Sequence, residues 1–327
     1  MKHKIRFLIG ILVSLIFIML IIKKVDLGMV FQEIKQMKVR WILYFVLLSI
    51  FNYYIKGFRW RVLALESDSR LETSFRFTRF FVIGLMSNNI LPLRMGDVLR
   101  SYVVAKRFNI KKGLVVGSVI VERIFDMLSI FLLMLLFFLT SSSLAVPDVM
   151  RKFASWGLII VVLGFVCVII ISRLKDAIIY KIDTLHNIKI LKRFTRFLHS
   201  IMEGFFVLNH NHHIIRLIFL SLLAWFIEGA TYFLIGQAFG FNLGIFPYIF
   251  IMITICLGTM IPSGPGYIGV FEGACVGALL LFGIAKETAT AYALVIHGLQ
   301  IILITTVGIF YSFREDFSFK DFKINEG

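Results

Sequence analysis

Apolar residues in this chain form long continuous runs, and the polar stretches between them carry most of the charge. A transmembrane helix needs ~20 predominantly apolar residues. On this basis we predict membrane helices at residues 5–22, 41–55, 113–139, 153–172, 214–239, 245–261, 267–282 and 288–313. The pattern indicates an all-α, polytopic integral membrane helical bundle with about eight spans.

Two segments interrupt this pattern. Residues 80–91 are apolar but too short to cross a bilayer unaided. They end in Asn-Asn-Ile-Leu-Pro, so we predict a re-entrant or interfacial segment. Residues 262–266 place Pro-Ser-Gly-Pro-Gly between two apolar runs. Broken hydrophobic segments in both halves of a chain are typical of transporter binding sites.

Composition supports a membrane protein. Hydrophobic residues make up 59% of the 327 residues and charged residues 17%, whereas soluble domains have roughly 45–50% and 25%. The net charge is +16, and we assign it to cytoplasmic loops, which collect Lys and Arg, and not to nucleic-acid binding. We therefore predict a multi-pass protein of the cell (cytoplasmic) membrane with both termini cytoplasmic. The basic connection 23–40 does not fit this orientation.

The connections predict smaller features. Residues 23–40 have apolar positions at helical spacing, which indicates a short surface helix. Residues 173–213 combine helical apolar spacing with many basic residues, which is typical of an amphipathic helix on the inner leaflet. We treat 1–315 as one transmembrane domain and 316–327 as a polar tail. The three cysteines have no CxxC spacing, and we predict neither a metal site nor a cofactor.

Charged residues inside the apolar regions form the first candidate site. Asn89 precedes Arg94, Asp97 and Arg100, and the last three recur every third residue. On a helix these side chains share one face. Two guanidinium groups beside one carboxylate leave a positive patch that suits a phosphate. A self-satisfied salt-bridge network is the alternative.

Glu122, Arg123 and Asp126 form a second cluster, within a predicted span. A charge at mid-bilayer costs ~2.5–3.5 kcal/mol on insertion scales, so these groups need partners. Arg123 can pair with a carboxylate of another helix, or Glu122 and Asp126 can meet Arg94 and Arg100, which we favour. The alternative places the cluster near the membrane surface.

The third cluster surrounds the second break. Unwound backbone at membrane depth is tolerated inside protein or around a watery cavity, and a helix N-terminus that follows it can bind an anion. A tight interfacial loop is the alternative. The candidate residues here are Pro262, Gly264, Pro265, Gly266, Gly269 and Glu272.

In this order the three clusters resemble the lysylphosphatidylglycerol synthase transmembrane-region family of flippase-like proteins. The resemblance rests on residues 89–100, 122–126 and 262–272 and covers most of the chain. It implies a membrane region that moves a lipid between leaflets, as in the bacterial multiple peptide resistance factors. Those proteins also carry an aminoacyl-transferase domain, and an archaeal branch carries a glycosyltransferase domain. We expect neither here.

We therefore expect a flippase-like translocator of a phospholipid or lipid-linked intermediate, with no catalytic residues of its own. The partners would be an anionic or lipid-linked membrane lipid, a separate lipid-synthesising enzyme and a second copy of the chain. The alternatives are a membrane-embedded transferase, which the family name describes as a phosphatidylglycerol lysyltransferase, and a subunit that positions a lipid enzyme. No Walker motif is present, so we do not expect ATP-driven pumping.

Overall fold

The computed structural model describes residues 25–65, 71–91, 95–140, 148–174, 211–261 and 264–317. Within these ranges every regular element is a helix, which confirms the all-α class. The α-helices are α1 (Leu27–Gln36), α2 (Arg40–Ala64), α3 (Leu71–Ile90), α4 (Met95–Arg107), α5 (Lys112–Thr140), α6 (Asp148–Arg173), α7 (Asn211–Ala238), α8 (Ile245–Gly258), α9 (Val270–Leu280) and α10 (Lys286–Arg314).

Among the described residues, three helices are long and apolar enough to cross a membrane. They are Arg40–Ala64, Ile214–Ala238 and Lys286–Arg314, which are α2, most of α7 and α10. Helix α5 is equally long but carries the Glu122–Asp126 cluster in its first half. The predicted surface helix in 23–40 is present as α1. The first predicted span, most of the 173–213 connection and most of the 316–327 tail lie outside the described residues.

The polar stretch after the second predicted span is helical over residues 56–64 and 71–79. Helix α2 continues to Ala64, so Lys56, Arg59 and Arg61 belong to its C-terminal half. Arg59 and Arg61 are buried. The hydrophobic pattern ended this helix too early because it counts each Lys or Arg as a break, whereas these side chains find partners within the bundle.

Helices α3 and α4 pack against each other and form the first hairpin. The predicted short segment 80–91 is the second half of the 20-residue α3. Its first half carries polar residues that find partners in the bundle. Arg79, for example, pairs with Glu315, just after the end of α10, at 2.8 Å. Met95–Arg107 is helix α4, so Asp97 and Arg100 lie on a helix, as expected.

Close backbone approach holds the first hairpin together. A Cβ atom on Gly96 would collide with the carbonyl oxygen of Gly84 and would lie 2.6 Å from Asn88 Oδ1. The Gly96 N–H instead donates to Asn88 Oδ1 at 2.8 Å. Glycine is therefore required at position 96, and the Asn88 side chain connects the two limbs beside the break.

Helices α8 and α9 form the second hairpin, joined through residues 259–269 and a 3-10 turn at Pro265–Tyr267. They have 14 and 11 residues, fewer than the ~20 of a full crossing, so both are half-length segments beside the break. Gly266 and Gly269 have φ values of 68° and 88°, which glycine adopts readily. Helix α8 is buried on almost every side.

The tips of the two hairpins meet inside the bundle. Helix α3 packs against the 3-10 turn, and the Asn89 carbonyl oxygen would lie 3.8 Å from a Cβ atom on Gly266. Each hairpin also has its own apolar core, and α5 contributes its first half to one core and its second half to the other. The described residues beside the two breaks thus lie close together.

Candidate functional site

Three helices direct polar faces toward the space between the hairpins. On α2 the face carries Asn52, Lys56 and Arg59, spaced four and three residues apart. On α5 it carries Glu122 and Asp126, four residues apart. Residues at these spacings lie on one side of a helix. On α7 the corresponding face holds three polar or aromatic residues, which are Ser221, Trp225 and Glu228.

Arg59 lies at the centre of the resulting interactions. Its guanidinium contacts Asp126 Oδ1 at 2.7 Å and Glu122 Oε1 at 3.2 Å, and it donates to the Ser221 hydroxyl at 2.8 Å. The second oxygen of Glu122 accepts from Arg100 Nη2 at 2.9 Å. The side chains of Arg59, Arg100 and Glu122 are each 1% exposed, so this part of the site is dry.

Asp97 and Arg123 extend the interactions toward solvent. Asp97 accepts from Arg100 Nε at 3.2 Å and from Arg123 Nη2 at 2.6 Å. Arg123 also contacts Asp126 at 3.4 Å. The Arg123 side chain is 40% exposed, which makes it the accessible end. We call the six residues Arg59, Asp97, Arg100, Glu122, Arg123 and Asp126 the ionic network.

The ionic network confirms two predicted contacts. Arg100 meets Glu122, and Arg123 pairs with a carboxylate of another helix, as expected. Among the described residues three guanidinium groups face three carboxylates, and Arg94, the other cation of the predicted positive patch, lies outside these residues. Burial favours this balance, since an unpaired charge in a low-dielectric interior is costly.

Aromatic rings complete the dry end. The Arg100 guanidinium lies 4.5 Å from the Trp60 ring centre and 4.8 Å from that of Phe81. Rings at such distances attract a cation through their quadrupole. The Trp225 indole N–H donates to Asp126 at 2.9 Å. Arg100 is therefore held on several sides, and its position is set by packing as much as by charge.

A second ion pair lies beside the ionic network. Lys56 Nζ contacts Glu228 Oε2 at 2.7 Å, and the Asn52 amide donates to the same oxygen at 2.8 Å. Lys56 also lies 5.1 Å from the Trp225 ring centre. The two charged side chains are 14% and 20% exposed. The Lys56–Glu228 pair is thus more accessible to solvent than the Arg59–Glu122 contact.

These groups line one side of a cavity of about 240 Å³ between the hairpins. From the first half of the chain its wall includes Asn88, Asn89 and the charged residues Lys56, Arg59, Glu122, Arg123 and Asp126. The opposite wall comes from α7, the second hairpin and α10, through Glu228, Tyr232, Cys256, Tyr267, Phe271, His297 and Gln300. Asp97 and Arg100 lie behind the wall and support it.

The anion site predicted at the second break is already filled by a side chain of the protein. Glu272 Oε2 accepts from the Gly269 N–H at 2.6 Å and so caps the N-terminus of α9. Its other oxygen lies 2.6 Å from His297 Nδ1. The carboxylate thus stands where an external anion would bind, because a helix N-terminus favours negative charge.

The structure brings together most of the predicted site residues that it describes. Asn89, Glu122, Arg123 and Asp126 reach the cavity wall. Gly264, Pro265, Gly266 and Gly269 belong to the second break, whose Tyr267 reaches the wall. Arg94 and Pro262 lie outside the described residues. No group of three or more potential metal ligands occurs among the described residues.

Sequence reasoning missed Arg59, Trp225 and His297. Spacing offered a signal for two of them: Arg59 shares a face with Lys56 on α2, and Trp225 shares one with Glu228 on α7. His297 is an ionisable residue in the middle of a long, largely apolar helix. An ionisable side chain in such a segment is by default a functional candidate, and that rule would have found it.

A helical bundle with three long apolar helices, two broken hairpins and a buried charged cavity defines a polytopic integral membrane protein. The model of the family described as lysylphosphatidylglycerol synthase TM region matches residues 7–308. The chain therefore belongs to this family, and the resemblance seen in the motifs is confirmed.

Three curated proteins are similar in sequence to this chain over 76 to 274 residues. The UPF0104 membrane protein MJ1078 of Methanocaldococcus jannaschii is 30% identical over 204 residues, which are 62% of this chain and 83% of that protein. A UPF0104 membrane protein of Methanothermobacter thermautotrophicus is 25% identical over 274 residues, 79% and 78% of the two chains. Glycosyltransferase AglD of Haloferax volcanii is 37% identical over 76 residues, 23% of this chain and 12% of that one. No solved structure matches significantly.

Proposed function

We propose that this protein moves the head group of a phospholipid or lipid-linked intermediate through the cavity, while the lipid tails stay in the bilayer. The observation that carries the proposal is a charged cavity between two broken hairpins in a membrane bundle. A polar head group needs such a path because the hydrocarbon core offers it no partners. Membership of a lipid-related membrane family supports the same function.

The exposed cations on the wall are the proposed contacts for a lipid phosphate. Arg123 is 40% exposed and Lys56 is 14% exposed, and each is already paired with a carboxylate. An entering phosphate can replace one of these carboxylates as the partner of the cation. A guanidinium presents two parallel donors to phosphate oxygens. Because its cations and carboxylates are paired, the cavity wall carries little net charge.

The dry part of the network has a different proposed role. Arg59, Arg100 and Glu122 connect α2, α4 and α5 and are almost fully buried. They hold the wall in place, and Arg123 at its edge meets the lipid. Arg100 is therefore expected to stabilise the wall and not to bind the lipid phosphate, so removal of its side chain should first destabilise the fold.

Purified protein in liposomes that contain a fluorescently labelled anionic phospholipid tests the proposal. We expect the label to equilibrate between leaflets. Arg123→Gln should slow this about tenfold, which corresponds to ~1.4 kcal/mol. Arg314→Gln, at an exposed arginine in the last turn of α10, is the matched control and should retain the wild-type rate.

The other outcomes contradict the proposal in distinct ways. Chemical modification of the lipid would favour a transferase. Neither movement nor modification, in a folded protein, would favour a subunit that positions another enzyme. Equal rates for the Arg123 and Arg314 variants would remove the wall cation from the mechanism.

A further inference from the structure

His297 and Glu272 form a buried pair on the cavity side of the second hairpin. His297 lies in the middle of α10, one of the long apolar helices. Its Nδ1 is 2.6 Å from Glu272 Oε1, and the two side chains are 6% and 9% exposed. The imidazole ring also stacks on Phe271, with ring centres 4.0 Å apart and planes at 8°. Both His297 and Phe271 line the cavity.

Glu272 connects this imidazole to the backbone of the break. One carboxylate oxygen faces His297, and the other accepts from the Gly269 N–H. Around this cap the chain takes positive φ values at Gly266, Tyr267 and Gly269. Tyr267 is not glycine, so its φ of 58° is strained. A change in the His297–Glu272 contact therefore acts directly on the segment that closes the second hairpin.

The remaining titratable groups near the pair differ from histidine. Within the second hairpin they are Tyr248, Cys256, Tyr267 and Cys275, α7 contributes Tyr232 and Glu228, and α10 contributes Tyr292. Across the cavity are Lys56 and the wall residues of the ionic network, all engaged in ion pairs. Among these types of side chain, histidine is the one whose reference pKa places its charge change between pH 5 and 8.

We propose that the Glu272–His297 pair binds the proton that couples lipid movement to a proton gradient. In the neutral imidazole Nδ1–H donates to Glu272, and Nε2 can accept a proton from a hydronium ion in the cavity, which leaves neutral water. The resulting imidazolium–carboxylate ion pair strengthens the hold on Glu272 and keeps the turn at 264–269 in place. When the proton returns to water as hydronium, the contact weakens and this turn is released. This inference rests on the proposed function.

The steady-state lipid distribution between leaflets tests the coupling. Liposomes with a pH gradient of about one unit should accumulate labelled lipid on one side by up to about tenfold if one proton accompanies each lipid. His297→Gln and Glu272→Gln should give equal leaflets with or without the gradient. His213→Gln, in the first turn of α7, changes the same residue type and should keep the wild-type response. Equal leaflets in the wild type would overturn the coupling and leave lipid movement standing.

A second measurement is independent of lipid movement. Cys256, on α8, lines the cavity. The rate at which a small thiol reagent labels it therefore reports how accessible the cavity is. The background is Cys167→Ser, because Cys167 is exposed. The thiol itself reacts faster at high pH, so the quantity compared is the ratio of wild type to His297→Gln at each pH.

We expect the ratio of the two labelling rates to rise several-fold from pH 5 to pH 8, because the deprotonated pair releases the turn at 264–269. A ratio that stays constant would overturn the inference, whatever the lipid assay shows. If no preparation moves lipid, the proposed function fails, and with it the coupling. The labelling ratio would then decide separately whether the pair is a proton-controlled hold on the hairpin.

Discussion

The two hairpins face one cavity, but they are held in different ways. The first hairpin carries Asp97 and Arg100 and is connected to α5 and, through α5, to α2 by the buried ionic network. The second hairpin lies in an apolar core and has one buried ionic contact, between Glu272 and His297. The described residues thus place several linked ion pairs on one side of the cavity, whereas the ion pair on the other side is the Glu272–His297 contact.

The difference indicates which side stays fixed and which side moves. Breaking a buried ion pair by removing one partner costs about 3–5 kcal/mol, so a wall with several such pairs resists rearrangement. Apolar contacts are non-directional and allow a short hairpin to shift. A movement that admits a lipid head group is therefore expected at the second hairpin, with the first as its support.

Among the substitutions that test this difference between the hairpins, Glu122→Leu should have the largest effect on stability. It removes the carboxylate shared by Arg59 and Arg100 and leaves two buried guanidinium groups without it. We expect a loss of about 3–5 kcal/mol in the free energy of unfolding, which thermal unfolding in detergent will show as loss of folded protein at moderate temperature.

Glu72→Gln is the control, because Glu72 is an exposed carboxylate in the first turn of α3. Its unfolding temperature should equal that of the wild type. A Glu122→Leu variant that is as stable as this control would show that the ionic network does not hold the first hairpin.

Gly96→Ala tests the close packing of the first hairpin. The added methyl group meets the Gly84 carbonyl oxygen and the Asn88 side chain, and such overpacking costs typically about 1–3 kcal/mol. Gly277→Ala is the matched change in α9, where an added Cβ has no atom within 4 Å. There alanine should be neutral or stabilising, because it is the better helix former. Equal effects at both glycines would contradict the comparison.

These residues also show how far the sequence could be interpreted. Hydrophobic runs located α5, α7 and α10 closely, since each has a long apolar stretch. They failed for the end of α2 and the start of α3, because Arg59 and Arg79 look like loop residues until their partners are known. Those partners lie far along the chain, and hydropathy contains no information on such pairing.

The sequence predicted the site residues of α5 better than those of the second hairpin. Glu122, Arg123 and Asp126 are close in sequence and conspicuous in an apolar run, so their need for partners was evident. The capping role of Glu272 could not be predicted because its partners are the Gly269 backbone N–H and His297, which is 25 residues away. Only the folded chain shows that the predicted anion site is filled from within.

Glu272→Ala tests the hold on the second hairpin. It removes the cap on Gly269 and the partner of His297, and loss of such a cap costs about 0.5–2 kcal/mol. We expect a modest fall in the unfolding temperature, clearly smaller than for Glu122→Leu, and faster hydrogen exchange of backbone amides in the 264–273 segment. If the loss equals that of Glu122→Leu, the two sides of the cavity are equally fixed and the comparison fails.

The smallest expected effect concerns the pair of Lys56 and Glu228 at the wet edge. A double-mutant cycle of Lys56→Met, Glu228→Gln and both together isolates their interaction free energy. The pair joins α2 to α7, but its side chains are 14% and 20% exposed, and the Asn52 amide still donates to Glu228 when Lys56 is removed. Water and this second donor both reduce the loss, so we expect a coupling near the upper end for exposed pairs, about 1 kcal/mol. A coupling of about 3 kcal/mol would place this pair with the buried contacts, and the cavity edge would then be as fixed as the Arg59–Glu122 core. A coupling of about 1 kcal/mol or less leaves Lys56 available to a lipid phosphate at little cost, which is the behaviour that the proposed exchange of partners requires.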